Sequence, residues 1–321
     1  MTFRLYFHWL IVAMIVVAGL SVAGDEPQFS KTTHTYKVPA NHPIKVDVYR
    51  PDDLRVRPVV FWIHGGALIF GNRTVIRTAQ LERYIQAGFT VVSIDYRLAP
   101  ETKLPEILED LRDAYAWVRT KGPELFRADA DRIAVVGHSA GGYLTLCAGY
   151  KLQPHPRALV AFYGYGDITG PWYRRPDPHY LKEPAVSPEQ AERAVGNVPV
   201  SEGDEERRWP FYLYCRQQGL WPNKVAGWDP EHDAQRFDAY CPVRNVTADY
   251  PPTLLLHGDR DTDVPFEQSE QMARELERHH VEHRLVRIRG GDHGFDANLN
   301  EPQAIAAFDE VLEFLKKHLH E

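Results

Sequence analysis

Three kinds of side chain that together perform acyl transfer occur at separated points of this chain. Ser139 is the centre of Gly137-His138-Ser139-Ala140-Gly141, after the apolar run 133–136 and before a helix-period stretch. G-x-S-x-G alone is a modest signal. Between a strand and a helix it describes a sharp turn that exposes the serine oxygen at its tip. A serine hydroxyl is a weak nucleophile and needs a base to take its proton. His293 is the candidate, in the glycine-flanked loop Gly290-Gly291-Asp292-His293-Gly294 after the strand 284–288. The carboxylate that would orient it belongs in the loop after strand 253–256, where Asp259, Asp261 and Asp263 all compete. Donors for the developing oxyanion are expected from the N–H groups of Gly66, Ala67 and Ala140. The first two follow the apolar run 58–63 through His64-Gly65, and Ala140 starts the helix after the serine. The remaining histidines have simpler roles: His138 fills the turn, His64 and His257 bond to their own loops, and His279, His280 and His283 surround a helix end.

The elements that must hold these residues follow from periodicity. Residues 34–39 and 44–50 alternate apolar and polar, as in an antiparallel hairpin. From residue 58 the pattern changes to short continuous apolar runs, at 58–63, 90–94, 133–136, 158–163 and 253–256, expected of strands buried on both faces. Helix-period segments at 74–87, 106–119, 140–151 and 267–279 separate them, followed by strand 284–288 and helix 302–318. This alternation predicts an α/β fold: one mostly parallel sheet with helices on both faces. Residues 164–250 break the rhythm, contain four of the seven tryptophans, and are too long for a simple loop. They are expected to form a helical cap, whose rings line a pocket or form a small core of their own.

Composition narrows the partners. A formal charge of −7 without a basic block disfavours nucleic acid. The three cysteines show no C-x-x-C spacing, so no metal site is expected. Cys147 reads as a small buried side chain, and Cys215 and Cys241 could be bridged in an exported protein. Residues 1–24 combine Arg4, an apolar run too short to span a bilayer, and Ser21-Val22-Ala23 before a polar stretch. They predict a cleaved signal and a secreted or periplasmic domain over 25–321, with an N-terminal membrane anchor as the alternative.

Four motifs give the chain a family likeness: His64-Gly-Gly-Ala67, Asp95-Tyr-Arg-Leu-Ala-Pro-Glu101, Gly137-His-Ser-Ala-Gly-Gly142, and the pair formed by 257–265 with Asp292-His-Gly-Phe295. The chain resembles the hormone-sensitive-lipase-like branch of α/β-hydrolases, the acetyl esterases and carboxylesterases. That resemblance implies an α/β-hydrolase fold, a Ser139–His293–Asp261 triad, and hydrolysis of a short-chain, small-molecule or carbohydrate ester without cofactor. It also selects Asp261, through the family pattern H-G-x-x-D-x-x-V-P. Two departures stand out. Ala67 replaces the usual third glycine, and the insert follows the nucleophile strand, where the branch is expected to have an N-terminal cap. Both bear on substrate preference. A prolyl-oligopeptidase-like peptidase shares the catalytic domain, though such enzymes usually add an N-terminal β-propeller. A silent binding module would be expected to have lost a triad residue.

Overall fold

The structure, a computed structural model, describes residues 29–320; the 1–24 segment lies outside the described residues. Eight strands form one sheet: β1 (Phe29–Lys37), β2 (Ile44–Pro51), β3 (Arg57–Ile63), β4 (Thr90–Ile94), β5 (Ala128–His138), β6 (Ala158–Phe162), β7 (Thr253–Gly258) and β8 (His283–Ile288). Their order is β1-β2-β4-β3-β5-β6-β7-β8. Only β2 runs against its neighbours, and every pair from β4–β3 to β7–β8 is parallel. The predicted hairpin is present, but its first strand begins five residues earlier than expected, at Phe29.

The apolar runs are explained by burial on both sides. In β3, Val59, Phe61 and Ile63 enter one core while Val60 and Trp62 enter the other, since alternate residues of a strand point to opposite faces. Helices α1 (Thr78–Gln86) and α9 (Pro302–His320) cover the second face through Leu81, Tyr84, Phe308, Val311 and Leu315. On the first face lie α2 (Leu104–Phe126), α3 (Ala140–Lys151) and α8 (Glu267–Arg278), through Leu111, Tyr115, Leu144 and Met272.

Between β6 and β7 the chain forms a helical cap: α4 (Pro171–Arg174), α5 (Pro188–Arg193), α6 (Glu205–Gln218) and α7 (Trp221–Ala226). The cap's aromatic rings form no separate core: Tyr173 stacks on Trp221 at 4.2 Å within the same core as the first face of the sheet, whereas Tyr180, Trp209 and Tyr212 line a cavity. Cys147, Cys215 and Cys241 are buried free thiols, so the bridge considered between the latter two is not formed.

The segment 95–101 joins cap to sheet. The buried Glu101 carboxylate receives Arg208 of α6 through two bonds, of 2.9 and 2.6 Å. Arg208 also donates to the carbonyls of Ile69 and Ala99. Removing one partner of a buried ion pair strands the other charge, at a cost of about 3–5 kcal/mol. Glu101→Leu is therefore expected to lower unfolding stability by roughly that amount; an unchanged urea midpoint would contradict it.

Candidate active site

Every predicted site residue lies just beyond the C-terminal end of a sheet strand, where open parallel sheets present their ligand crevice. Ser139 follows β5 with φ 56°, a left-handed backbone value uncommon outside glycine. The flanking glycines make the turn possible by close approach. A Cβ on Gly137 would stand 2.2 Å from the Gly141 carbonyl oxygen, and one on Gly141 would stand 2.1 Å from that of Ile63. Ser139 caps the N-terminus of α3, so the unpaired N–H groups of the first turn and the positive end of the helix dipole lie beside its side chain.

After β3 the chain turns through Gly66 at φ 99° and Ala67 at φ 54°. The loop is supported from both sides. Below, Tyr96 stacks on His64 at 4.3 Å and donates its hydroxyl to the His64 carbonyl. Above, the indole N–H of Trp221 in α7 donates to the Ala67 carbonyl at 3.0 Å. The N–H groups of Gly66, Ala67 and Ala140 donate to no described residue. Gly66 and Ala67 border the same cavity as Ser139. His64 keeps its ring on the Gly65 carbonyl, and burial lowers its pKa to about 4, so it is neutral.

His293 follows β8 and Asp261 follows β7. His293 Nδ1 lies 2.8 Å from Asp261 Oδ2, and the Asp261 side chain is fully buried. Its other oxygen accepts the N–H groups of Asp263 and Val264, at 2.9 and 2.8 Å. Burial alone would raise the Asp261 pKa; hydrogen bonds and charge from His257 and His293 outweigh it and leave it far below the usual carboxylate range. His257, expected to serve its own loop, does so through Ser269 and the Val264 carbonyl, and also lies 3.2 Å from Asp261. Burial likewise opposes charge on His293, yet its hydrogen bond to Asp261 and the charges of Asp263, Asp261 and Asp296 raise its pKa above the ordinary value.

Ser139 and His293 line one cavity of about 530 Å³. No hydrogen bond joins them; bonds between a nucleophile and its base often tighten only when substrate binds. Of the competing aspartates, Asp259 pairs with Arg287 away from the imidazole. Asp263 lies on the opposite side of the His293 ring from Asp261, with Oδ2 3.5 Å from Nε2. A buried network that the sequence motifs do not announce lies behind the turn. Asp296 accepts Arg77 at 2.6 Å, Gln80 at 2.5 Å and the Tyr163 hydroxyl at 2.7 Å, and lies 3.1 Å from His138 Nε2. His138 thus lies beside a carboxylate more than 150 positions downstream. The one signal for it was a second aspartate, three residues after His293.

A family model described as the alpha/beta hydrolase fold matches residues 60–297. Among solved structures, an alpha/beta hydrolase superfamily protein from Enterococcus faecalis is 26% identical with a TM-score of 0.72, covering 90% of this chain and 99% of that one. Esterase LipW from Mycobacterium marinum is 25% identical with a TM-score of 0.64, covering 91% and 83%. Among curated relatives, a non-reducing polyketide synthase, ausA of Aspergillus calidoustus, is 29% identical across 97% of this chain. The present chain spans only 15% of that synthase's length.

Proposed function

Because the chain belongs to the α/β-hydrolase family, we propose that it is a serine ester hydrolase acting on short-chain carboxylic esters, with Ser139 as nucleophile, His293 as base and Asp261 as orienting carboxylate. The observation that carries this is the 2.8 Å bond from His293 to a fully buried Asp261, on a cavity wall shared with Ser139 and the Gly66–Ala67 loop. Asp261 can only accept, so it fixes the proton on Nδ1 and leaves Nε2 free to take the Ser139 proton. The serine oxygen then attacks the ester carbonyl, and the N–H groups of Gly66, Ala67 and Ala140 receive the oxyanion. His293 returns its proton to the leaving alcohol, and water repeats the sequence to release the acid.

Purified protein is expected to hydrolyse p-nitrophenyl acetate and to leave a prolyl anilide intact; cleavage of the anilide alone would favour a peptidase. A fluorophosphonate probe is expected to label Ser139, and a silent binding module would not be labelled. The base works only as neutral imidazole, and its carboxylate neighbours favour the cation. The acid limb of the kcat/KM profile is therefore expected above the ordinary histidine value of about 6.5, and a limb below it would contradict this electrostatic account. Export belongs to the same proposal, supported by the sequence of residues 1–24: mature protein collected outside the cytoplasm is expected to begin near Asp25. Among the described residues, no helix is long and apolar enough to cross a membrane.

A further inference from the structure

Asp263 is more elaborately held than a loop carboxylate needs to be. Its Oδ1 accepts three donors from the cap: the Tyr180 hydroxyl at 2.8 Å, the Tyr212 hydroxyl at 2.5 Å and Arg216 Nη1 at 2.6 Å. Arg216 is almost fully buried and also binds Asp177, so the clamp is rigid and its charge is accounted for. Oδ2 receives none of these donors. Asp263 borders the cavity, and its Oδ2 lies 3.5 Å from His293 Nε2. Burial would raise the pKa of Asp263, but His293, Arg216 and the two tyrosine hydroxyls keep it lowered, so the group is an anion at neutral pH.

Outside those three donors, Oδ2 keeps lone pairs with which to accept a hydrogen bond from a group that enters the cavity, in place of water. Its position says which part of a substrate that is. In the proposed reaction Nε2 hands its proton to the leaving alcohol, so an atom adjacent to Nε2 is also adjacent to the leaving oxygen. A hydroxyl on the next carbon of that alcohol falls within reach of Oδ2. Resting on the ester-hydrolase proposal, we infer that Asp263 is a specificity-determining residue that accepts a hydrogen bond from a hydroxyl neighbouring the ester. The site then selects monoesters of polyhydroxylated alcohols, of the kind a partly acylated sugar presents. The rest of the wall suits such a group: Thr262 and Glu205 supply polar atoms, and Trp209 supplies a flat apolar face.

The test compares 2-hydroxyethyl acetate with 2-methoxyethyl acetate, which keeps the ester and the second oxygen but lacks the donor. A hydrogen bond to a charged acceptor is worth roughly 10- to 100-fold, and the wild-type kcat/KM ratio is expected in that range. In Asp263→Asn the three cap donors hold the amide oxygen, which turns the NH₂ group toward the cavity as a donor. The ratio is then expected to collapse toward unity, and in Asp263→Ala as well. A wild-type ratio near one overturns the inference. So does a ratio that survives both substitutions while turnover of the two esters falls equally, since that is the mark of a role in holding the cap. Failure of the underlying ester-hydrolase proposal looks different: neither acetate is hydrolysed, or both are hydrolysed equally well by Ser139→Ala.

Discussion

Ser139→Ala is expected to lower kcat on p-nitrophenyl acetate by roughly 10⁴- to 10⁶-fold. The large figure follows from removing the atom that attacks in the proposed mechanism. With the hydroxyl gone, His293 and Asp261 have no proton to move, and what survives is the oxyanion donors acting on water. The substitution is structurally mild, because the backbone at 139 is held by its N–H bond to the Phe162 carbonyl at 2.9 Å, independently of the side chain. Alanine does retain the strained φ of 56°, so a circular-dichroism melt close to wild type is the companion measurement. A folded Ser139→Ala protein with undiminished turnover would remove the serine from the reaction.

The second large effect is expected from Asp261→Asn, about 10⁴-fold in kcat. The amide is nearly isosteric. Its oxygen can keep the N–H groups of Asp263 and Val264, which now bond Oδ1. That orientation places the NH₂ group at the Oδ2 position, facing His293 Nδ1. A donor there stabilises the tautomer protonated on Nε2, which has no lone pair left for the serine proton. The same change removes the nearest anion from the imidazole, so residual activity is expected with its acid limb shifted downward. His257, 3.2 Å from Asp261, offers no substitute, because its ring nitrogens are engaged by Ser269 and the Val264 carbonyl. Activity within tenfold of wild type would show that Asp261 does not orient the base.

Much of this fold was legible because burial on both faces leaves a plain trace. The run 90–94 and the helix 140–151 were anticipated to the residue, since each is apolar or helix-patterned throughout and ends at a turn. β1 was anticipated short. Its first half, Phe29-Ser-Lys-Thr-Thr, lies on the sheet edge, where polar side chains are exposed and no alternation is imposed. α2 runs beyond the expected end at 119, past Pro123 to Phe126, whose ring is buried against the core. The site divides in the same way. Ser139, Gly66 and Ala67 belong to local patterns that a few neighbours define. Asp263 does not: its place beside the imidazole depends on Tyr180, Tyr212 and Arg216, residues 47 to 83 positions away, in a segment without periodicity. The segment 95–101 was recognised by likeness, and its physical reason emerged only from contacts. Asp95 binds Arg73, Tyr96 supports His64, Arg97 binds Asp110, and Glu101 holds Arg208.

The indole bond from α7 to the Ala67 carbonyl changes what an insert of this kind can be. A detachable cover could be exchanged between relatives to alter selectivity while the chemistry beneath stayed intact. Here the covering segment grips the peptide unit beside the amides proposed to receive the oxyanion, and Arg208 anchors it to the same loop through the Ile69 carbonyl. Grafting another cap onto this scaffold is expected to slacken the floor along with the roof, so turnover and preference would change together.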